Sequence, residues 1–460
     1  MNVYFVSLGC DKNLVDSEDM LGILDAGGYT VTDDEDNADI IIVNTCCFIE
    51  DAKKESINTI LEMADKRKNG PCRALIVTGC MAQRYRKEIM EEIPEVDAIV
   101  GTMSYDRITE AIDRCLRGEK VTLMQDINRT VKPVHRRMLA TGGHFAYLKI
   151  AEGCDKHCTY CVIPSVRGRY RSFPMDELVE EARDLAGRGV RELILIAQET
   201  TLYGTDLYGR KCLHDLIHQI AQIGEIRWIR VMYCYPEEIY PELVECMKTE
   251  PKFCHYLDLP IQHADDDILK RMARKTSRED IERIVRNLRE QIPDICLRTT
   301  LITGFPGETE ENHRELVDFV RKMRFDRLGV FTYSQEEGTP AAAMPDQIDE
   351  DTRERRRDEI MKLQQRISAD REEEQVGRVL TVMVEGREAE SDRDDGEDVY
   401  VCRTYADAPD VDGYLFLETG ETLYSGDFVQ VRVTGANEYD LIGELYEAGE
   451  PGDPDEVRAE

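Results

Sequence analysis

Three cysteines, Cys154, Cys158 and Cys161, fall within eight residues in the run K-I-A-E-G-C-D-K-H-C-T-Y-C-V-I-P. They come just after a β-like stretch, so a spacing of four and then three gathers the thiols just beyond the end of a strand. Three thiolates can hold three irons of a 4Fe-4S cube and leave the fourth iron open to a ligand. An open iron suits a catalytic cluster, whereas a fourth cysteine would close it. Zinc is the rival occupant; its sites usually pair cysteines two to four residues apart and close four ligands. No fourth ligand is evident, although His157 lies inside the loop.

A chain of 460 residues exceeds one ordinary domain, and two to four are expected. No apolar run is long enough to cross a bilayer. The start M-N-V-Y-F-V-S-L-G-C reads as a buried strand, without the basic residues and cleavage site of a signal peptide. Fifteen cysteines, an odd number spread along the chain, fit a reducing cytoplasm better than a disulfide scaffold. A net charge of −34 repels nucleic acid at long range and attracts basic protein. Adaptation to high salt, or solubility alone, would give the same sign.

Residues 1–125 predict an N-terminal Rossmann-like open α/β domain. Short apolar runs at 3–8, 40–43, 74–77 and 98–100 suit buried parallel strands, with helices around 16–26, 53–67 and 84–90 between them. A linker is expected near 125–140. Residues 140–372 repeat strand then helix, with strands at 145–151, 192–197, 228–232, 255–259, 296–302 and 327–332. Such βα repeats without a nucleotide fingerprint at the first turn predict a central partial (β/α)6 barrel. A charged connecting helix is expected over 350–374. Residues 373–448 hold about five short alternating strands and predict a small antiparallel β-barrel. Residues 371–460 carry 26 Asp or Glu and 7 Arg or Lys, a net of −19. Small barrels often bind RNA, but this one lacks the basic groove RNA needs, so a basic protein partner matches better. The acidic runs 33–36 and 392–398 read as solvated loops.

Cys10, Cys46 and Cys80 share one position type, each where a strand gives way to a loop. The carboxyl ends of parallel strands lie on one edge, where open α/β folds bind ligands, so these three thiols can converge. Buried free cysteines are also common, and the chain uses others freely. In the barrel, polar loops come after the strands: Gln198 and Glu199, then Gln262 and His263, then Thr303, Gly304 and on to Glu308. The two glutamates suit an ammonium group or a ribose hydroxyl, or serve as caps. Arg167, Arg169 and Arg171, just past the cysteine loop, suit holding a carboxylate, positioning a cluster, or the surface. An open-iron cube beside a small-molecule pocket suggests reductive cleavage of a bound cofactor. A lyase using the iron as a Lewis acid is a competing class, an electron carrier a weaker one.

The run C-D-K-H-C-T-Y-C resembles the cluster motif of the radical S-adenosylmethionine superfamily. G-C-D-K-N-L-V-D-S-E, N-T-C at Cys46, T-G-C-M-A-Q at Cys80, P-I-Q-H and T-G-F-P-G-E-T extend the resemblance to the methylthiotransferases, and the terminal barrel resembles their TRAM domain. Within that family, A-Q-E-T-T-L-Y-G-T-D-L-Y-G and R-V-M-Y-C-Y-P-E resemble the members that modify ribosomal protein S12. Relatives acting on isopentenyladenosine in transfer RNA are the alternative. The resemblance implies a methylthio group added to the β-carbon of an S12 aspartate. It implies two 4Fe-4S clusters, one on Cys154, Cys158 and Cys161 and a sulfur-carrying one on Cys10, Cys46 and Cys80. Reductive cleavage of S-adenosylmethionine at the first would give a deoxyadenosyl radical. By strand-end position the expected contacts of that cofactor are Gln198, Glu199, Gln262, Thr303, Gly304 and Glu308, with Tyr160 flanking the cluster. The resemblance also implies an electron donor such as flavodoxin or ferredoxin and a cytoplasmic location, with neither membrane nor nucleic acid as a primary partner.

Overall fold

The apolar runs of the amino-terminal region form one parallel sheet in a computed structural model that describes residues 1–131, 137–388 and 398–446. The expected linker and the acidic run from Asp392 lie partly outside those residues. The chain divides into two compact units, the first being Met1–Met361.

Strands β1 (Asn2–Ser7), β2 (Thr30–Thr32), β3 (Ile40–Thr45), β4 (Ala74–Thr78), β5 (Ala98–Val100) and β6 (Val121–Leu123) lie in the order β2-β1-β3-β4-β5-β6. Every residue of β3 and β4 is buried. Ile40, Ile42 and Ile76 pack into one core, while Ile41, Val43, Leu75 and Val77 pack into another on the opposite face. This two-sided burial is what a continuous apolar run in a parallel sheet requires. The chain leaves β1 toward β2 on one side and reaches β3 on the other. The crevice beyond β1 and β3 is therefore a topological switch point. The first helix runs Asp11–Ala26 and not from Asp16, with Cys10 at its N-cap. Its first turns are masked in the sequence because its buried residues include the polar Lys12, Asn13, Asp16, Glu18 and Asp19. Cys80 lies in the first turn of the Gly79–Arg84 helix rather than in a loop.

The second sheet of the same unit is built from β7 (Phe145–Lys149), β10 (Glu192–Ile196), β11 (Trp228–Val231), β12 (Phe253–Asp258), β13 (Cys296–Thr303) and β14 (Arg327–Thr332). These six run parallel in chain order, an open partial barrel. The expected first strand breaks after Lys149; Ala151–Glu152 forms β8, paired antiparallel with β9 (Arg171–Ser172). That side hairpin holds the cysteine loop against the barrel mouth.

In the second unit β15 (Val379–Arg387), β16 (Asp398–Thr404), β17 (Leu415–Thr419), β18 (Phe428–Ala436) and β19 (Leu441–Leu445) close a barrel around Val382, Val384, Cys402, Leu415, Leu417, Val431 and Val433. Four ladders are antiparallel, but β17 and β19 pair in parallel, which departs from the purely antiparallel expectation. A strand that returns beside a non-consecutive neighbour can run either way, and alternation does not record which. Among the described residues no helix is long and apolar enough to cross a membrane.

Candidate functional site

The end of β1 and the end of β3 meet at Gly9. Its φ of +92° is left-handed, and a Cβ there would stand 2.7 Å from the Cβ of Cys46. Only glycine lets the loop carrying Cys10 pass so close. Cys10, Cys46 and Cys80 interact electrostatically in all three pairings. Burial, with repulsion from Cys80 and Cys10, pushes the Cys46 thiol up to about 12. Burial also raises Cys80, while the Arg167 guanidinium pulls it back down. The second trio behaves alike: Cys154, Cys158 and Cys161 interact pairwise, and burial pushes Cys154 up to about 11. The amides of Lys156 and Ile163 donate to the Cys154 and Cys161 sulfurs at 3.5 and 3.4 Å. Such donors favour thiolate over thiol and suit a metal-bound sulfur. Among the described residues no three His, Cys, Asp or Glu groups close on a single ion. A cube accepts this wider spacing because its irons occupy separate corners.

Of the expected cofactor contacts, two carry uncommitted polar atoms. Gln198, beyond β10, donates to the Glu152 carboxylate at 2.9 Å and leaves its carbonyl oxygen buried without a partner. Glu199, fully buried, accepts from the Thr201 amide at 3.0 Å and from the Thr201 hydroxyl with one oxygen. Its other oxygen has no partner, and burial pushes its carboxyl up to about 8. Glu199 lies near enough to Cys154 to perturb that thiol. Tyr160 sets its ring edge-on to Phe305 at 6.4 Å, joining the cysteine loop to the loop after β13. Gln262 has a left-handed backbone (φ +71°) and bridges to Leu301.

Thr303, Gly304 and Glu308 are used within the fold. Thr303 donates to the Arg353 carbonyl at 3.2 Å, and a Cβ on Gly304 would collide with the Arg353 side chain. Glu308 accepts from the Gly304 and Phe305 amides at 2.7 and 3.2 Å and pairs with Arg356 at 3.0 Å. Its carboxylate shapes its own loop. His263 is fully buried beside it, 3.7 Å from a Glu308 oxygen, and burial pushes its imidazole down to about 3. The unfolded chain therefore binds a proton below pH 6.5 that the folded chain refuses. Stability should fall by about 1.4 kcal/mol per unit as pH drops from 6.5 toward 3. Glu308, which burial raises to about 7, slopes the other way. The difference between parent and His263→Gln in urea unfolding across that window isolates the histidine. The variant should lack this acid-side loss, and parallel curves would refute it.

Sequence reasoning missed the buried charges between the two sheets. Arg167 pairs with Asp16 at 2.5 Å and with Glu152 at 3.4 Å, and donates to the Asn13 side chain at 2.9 Å. Lys149 pairs with Asp16 and, at 3.0 Å, with Glu152. Burial alone would raise the Glu152 carboxyl, but Lys149 and Arg167 hold it down at about 2. Tyr233, left-handed at φ +62°, donates from the end of β11 to Asp11 at 3.0 Å. A cavity of about 320 Å³ opens beside Cys158 and Cys161, with Arg84 and Thr339 among its walls.

Residues 2–101 match the uncharacterized protein family UPF0004, residues 148–320 the radical SAM superfamily, and residues 376–445 the TRAM domain. The ribosomal protein uS12 methylthiotransferase RimO of Lachnoclostridium phytofermentans is 59% identical, covering 96% of this chain and 99% of its own. The same enzyme of Symbiobacterium thermophilum is 49% identical over 97% and 91%. That of Clostridioides difficile is 47% identical over 97% and 99%. Among solved structures, the radical S-adenosylmethionine methyltransferase TsrM of Kitasatospora setae, with cobalamin and a 4Fe-4S cluster bound, aligns with a TM-score of 0.56. It covers 74% of this chain and 73% of its own at 16% identity, a likeness of fold alone.

Proposed function

The chain belongs to the ribosomal protein uS12 methylthiotransferases of the radical S-adenosylmethionine superfamily, and from that premise we propose that it adds a methylthio group to the β-carbon of an aspartate in ribosomal protein S12. The observation that carries the reading is the pair of thiol trios, each at the carboxyl edge of a parallel sheet within one unit.

Cys154, Cys158 and Cys161 would hold one 4Fe-4S cluster and Cys10, Cys46 and Cys80 a second, three thiolates to each. When bound, the clusters and S-adenosylmethionine supply the electron, the carbon-centred radical and the sulfur. The chain's own residues bind, orient and shield. Glu199 offers its uncommitted oxygen to the cofactor's ammonium group, and Gln198 its free carbonyl. Tyr160 and Phe305 wall the cysteine loop with apolar rings, limiting water where a radical would be quenched. Gln262, Thr303, Gly304 and Glu308 would meet the cofactor from the neighbouring loops.

The net charge of −19 over residues 371–460 supports a basic protein substrate. A TRAM domain is compatible with some affinity for nucleic acid, and transfer RNA is the substrate to be tested against S12. The division into domains at 1–125, 140–372 and 373–448 is part of the proposal, supported by sheets that end at Leu123, begin at Phe145 and begin again at Val379. An electron donor such as flavodoxin or ferredoxin and a cytoplasmic setting complete it. Mass spectrometry of a deletion strain tests the substrate. S12 should lose the methylthio mass while transfer RNA nucleosides are unchanged, and the reverse pattern would overturn the assignment.

A further inference from the structure

Arg167 closes the Ile163–Arg167 helix, six residues beyond Cys161, yet the thiols it acts on include those of the other trio. Its positive charge acts on the Cys80, Cys46 and Cys10 thiols, and the Asn13 side chain it donates to lies against the Gly9 turn beside Cys46. Its other contacts hold it in place: Asp16 at 2.5 Å, Asn13 at 2.9 Å and Glu152 at 3.4 Å. Glu152 stands two residues before Cys154 and accepts from Gln198 at 2.9 Å. A single connected path thus runs from the Cys80 sulfur through Arg167 and Glu152 to the loop beyond β10. Arg167 is 2% exposed, so this cation is held out of water beside three sulfurs.

A surface arginine would be screened, and one serving only as an interdomain tie would need only its carboxylates. Here the fork of a planar guanidinium is divided between two carboxylates and an amide while its charge faces the thiols, a division that ammonium geometry cannot reproduce. We infer that Arg167 is a positioning residue for the second iron-sulfur site: it holds the Cys80 sulfur in register with the first site and raises the reduction potential of whatever cluster that sulfur binds. Donors to cluster sulfur and nearby positive charge favour the more reduced, more negative state. The inference rests on reading Cys10, Cys46 and Cys80 as cluster ligands.

The test uses the full chain with Cys154, Cys158 and Cys161 changed to Ala, reconstituted anaerobically so that only the second site can load. Iron content and an EPR-monitored redox titration are read with Arg167, Arg167→Lys and Arg167→Gln. The expected result is about four irons in the parent and in Arg167→Lys. The Lys variant should be harder to reduce, by about tenfold in the one-electron equilibrium or ~59 mV. Arg167→Gln should shift further the same way or load less iron. Full loading at an unchanged potential in both variants would overturn the inference and leave Arg167 a structural tie. A parent that binds no iron would overturn the ligand reading itself, and the inference with it.

Discussion

Changing Cys154, Cys158 and Cys161 together to Ala should lower the iron of anaerobically reconstituted protein from about eight to about four per chain. Reductive cleavage of S-adenosylmethionine should be abolished. Changing Cys10, Cys46 and Cys80 should also leave about four irons, but cleavage should persist, uncoupled from methylthio transfer. The two results differ because the trios sit on different sheets, and only the first lies beside the barrel loops that carry Gln198 and Glu199. Neither trio shares a ligand with the other, so each triple variant should still load the site it keeps. With Cys46 raised to about 12 and Cys154 to about 11, these thiols are protonated at neutral pH until metal displaces the proton. Loading should therefore release protons and weaken as pH falls. Iron and sulfide assays with deoxyadenosine quantified by chromatography decide the matter. Loss of all iron from either triple variant would mean one shared centre and would sink the two-site reading.

How legible this molecule is in its sequence depends on what each residue spends its side chain on. The buried strand 98–100 is legible to the residue, and so is 327–332, an edge strand with only Leu328 buried. The edge strands Thr30–Thr32 and Val121–Leu123 are not, because threonine breaks each short apolar stretch. The cysteines are legible by spacing and by position at strand ends. The buried charges are not: Asp16, Lys149 and Glu152 look like surface residues until a partner is supplied from a distant segment. Arg167, Arg169 and Arg171 are indistinguishable as letters; in the fold Arg169 is exposed and Arg167 is sealed against the thiols. Thr303, Gly304 and Glu308 look like ligand-facing residues in sequence because a loop closed on itself and a loop closed on a ligand use the same residue types. Arg353 and Arg356, some fifty residues on, are partners of that loop that no local pattern records.

Glu199→Gln should move stability and binding in opposite directions. A carboxyl raised to about 8 by burial keeps its proton in the folded chain where the unfolded chain has lost it. The parent therefore loses stability as pH rises from 4.5 through 8, by an amount on the order of 3–5 kcal/mol. Glutamine carries no such penalty, so the variant should match the parent near pH 4.5 and exceed it above pH 8 in urea unfolding. The fold thus gains nothing from the acid that a neutral amide would not give, since the Thr201 amide and hydroxyl need only one acceptor oxygen. A buried acid with an unpartnered oxygen beside the Cys154 loop is better explained by a cation that arrives later. Its loss should weaken S-adenosylmethionine binding by about 30- to 150-fold, the worth of one charge-assisted hydrogen bond of 2–3 kcal/mol. Equilibrium binding to reconstituted protein, beside unfolding curves at both pH values, measures the two effects. A variant that binds the cofactor as tightly as the parent would leave Glu199 a packing residue and shift the ammonium site elsewhere along the barrel mouth.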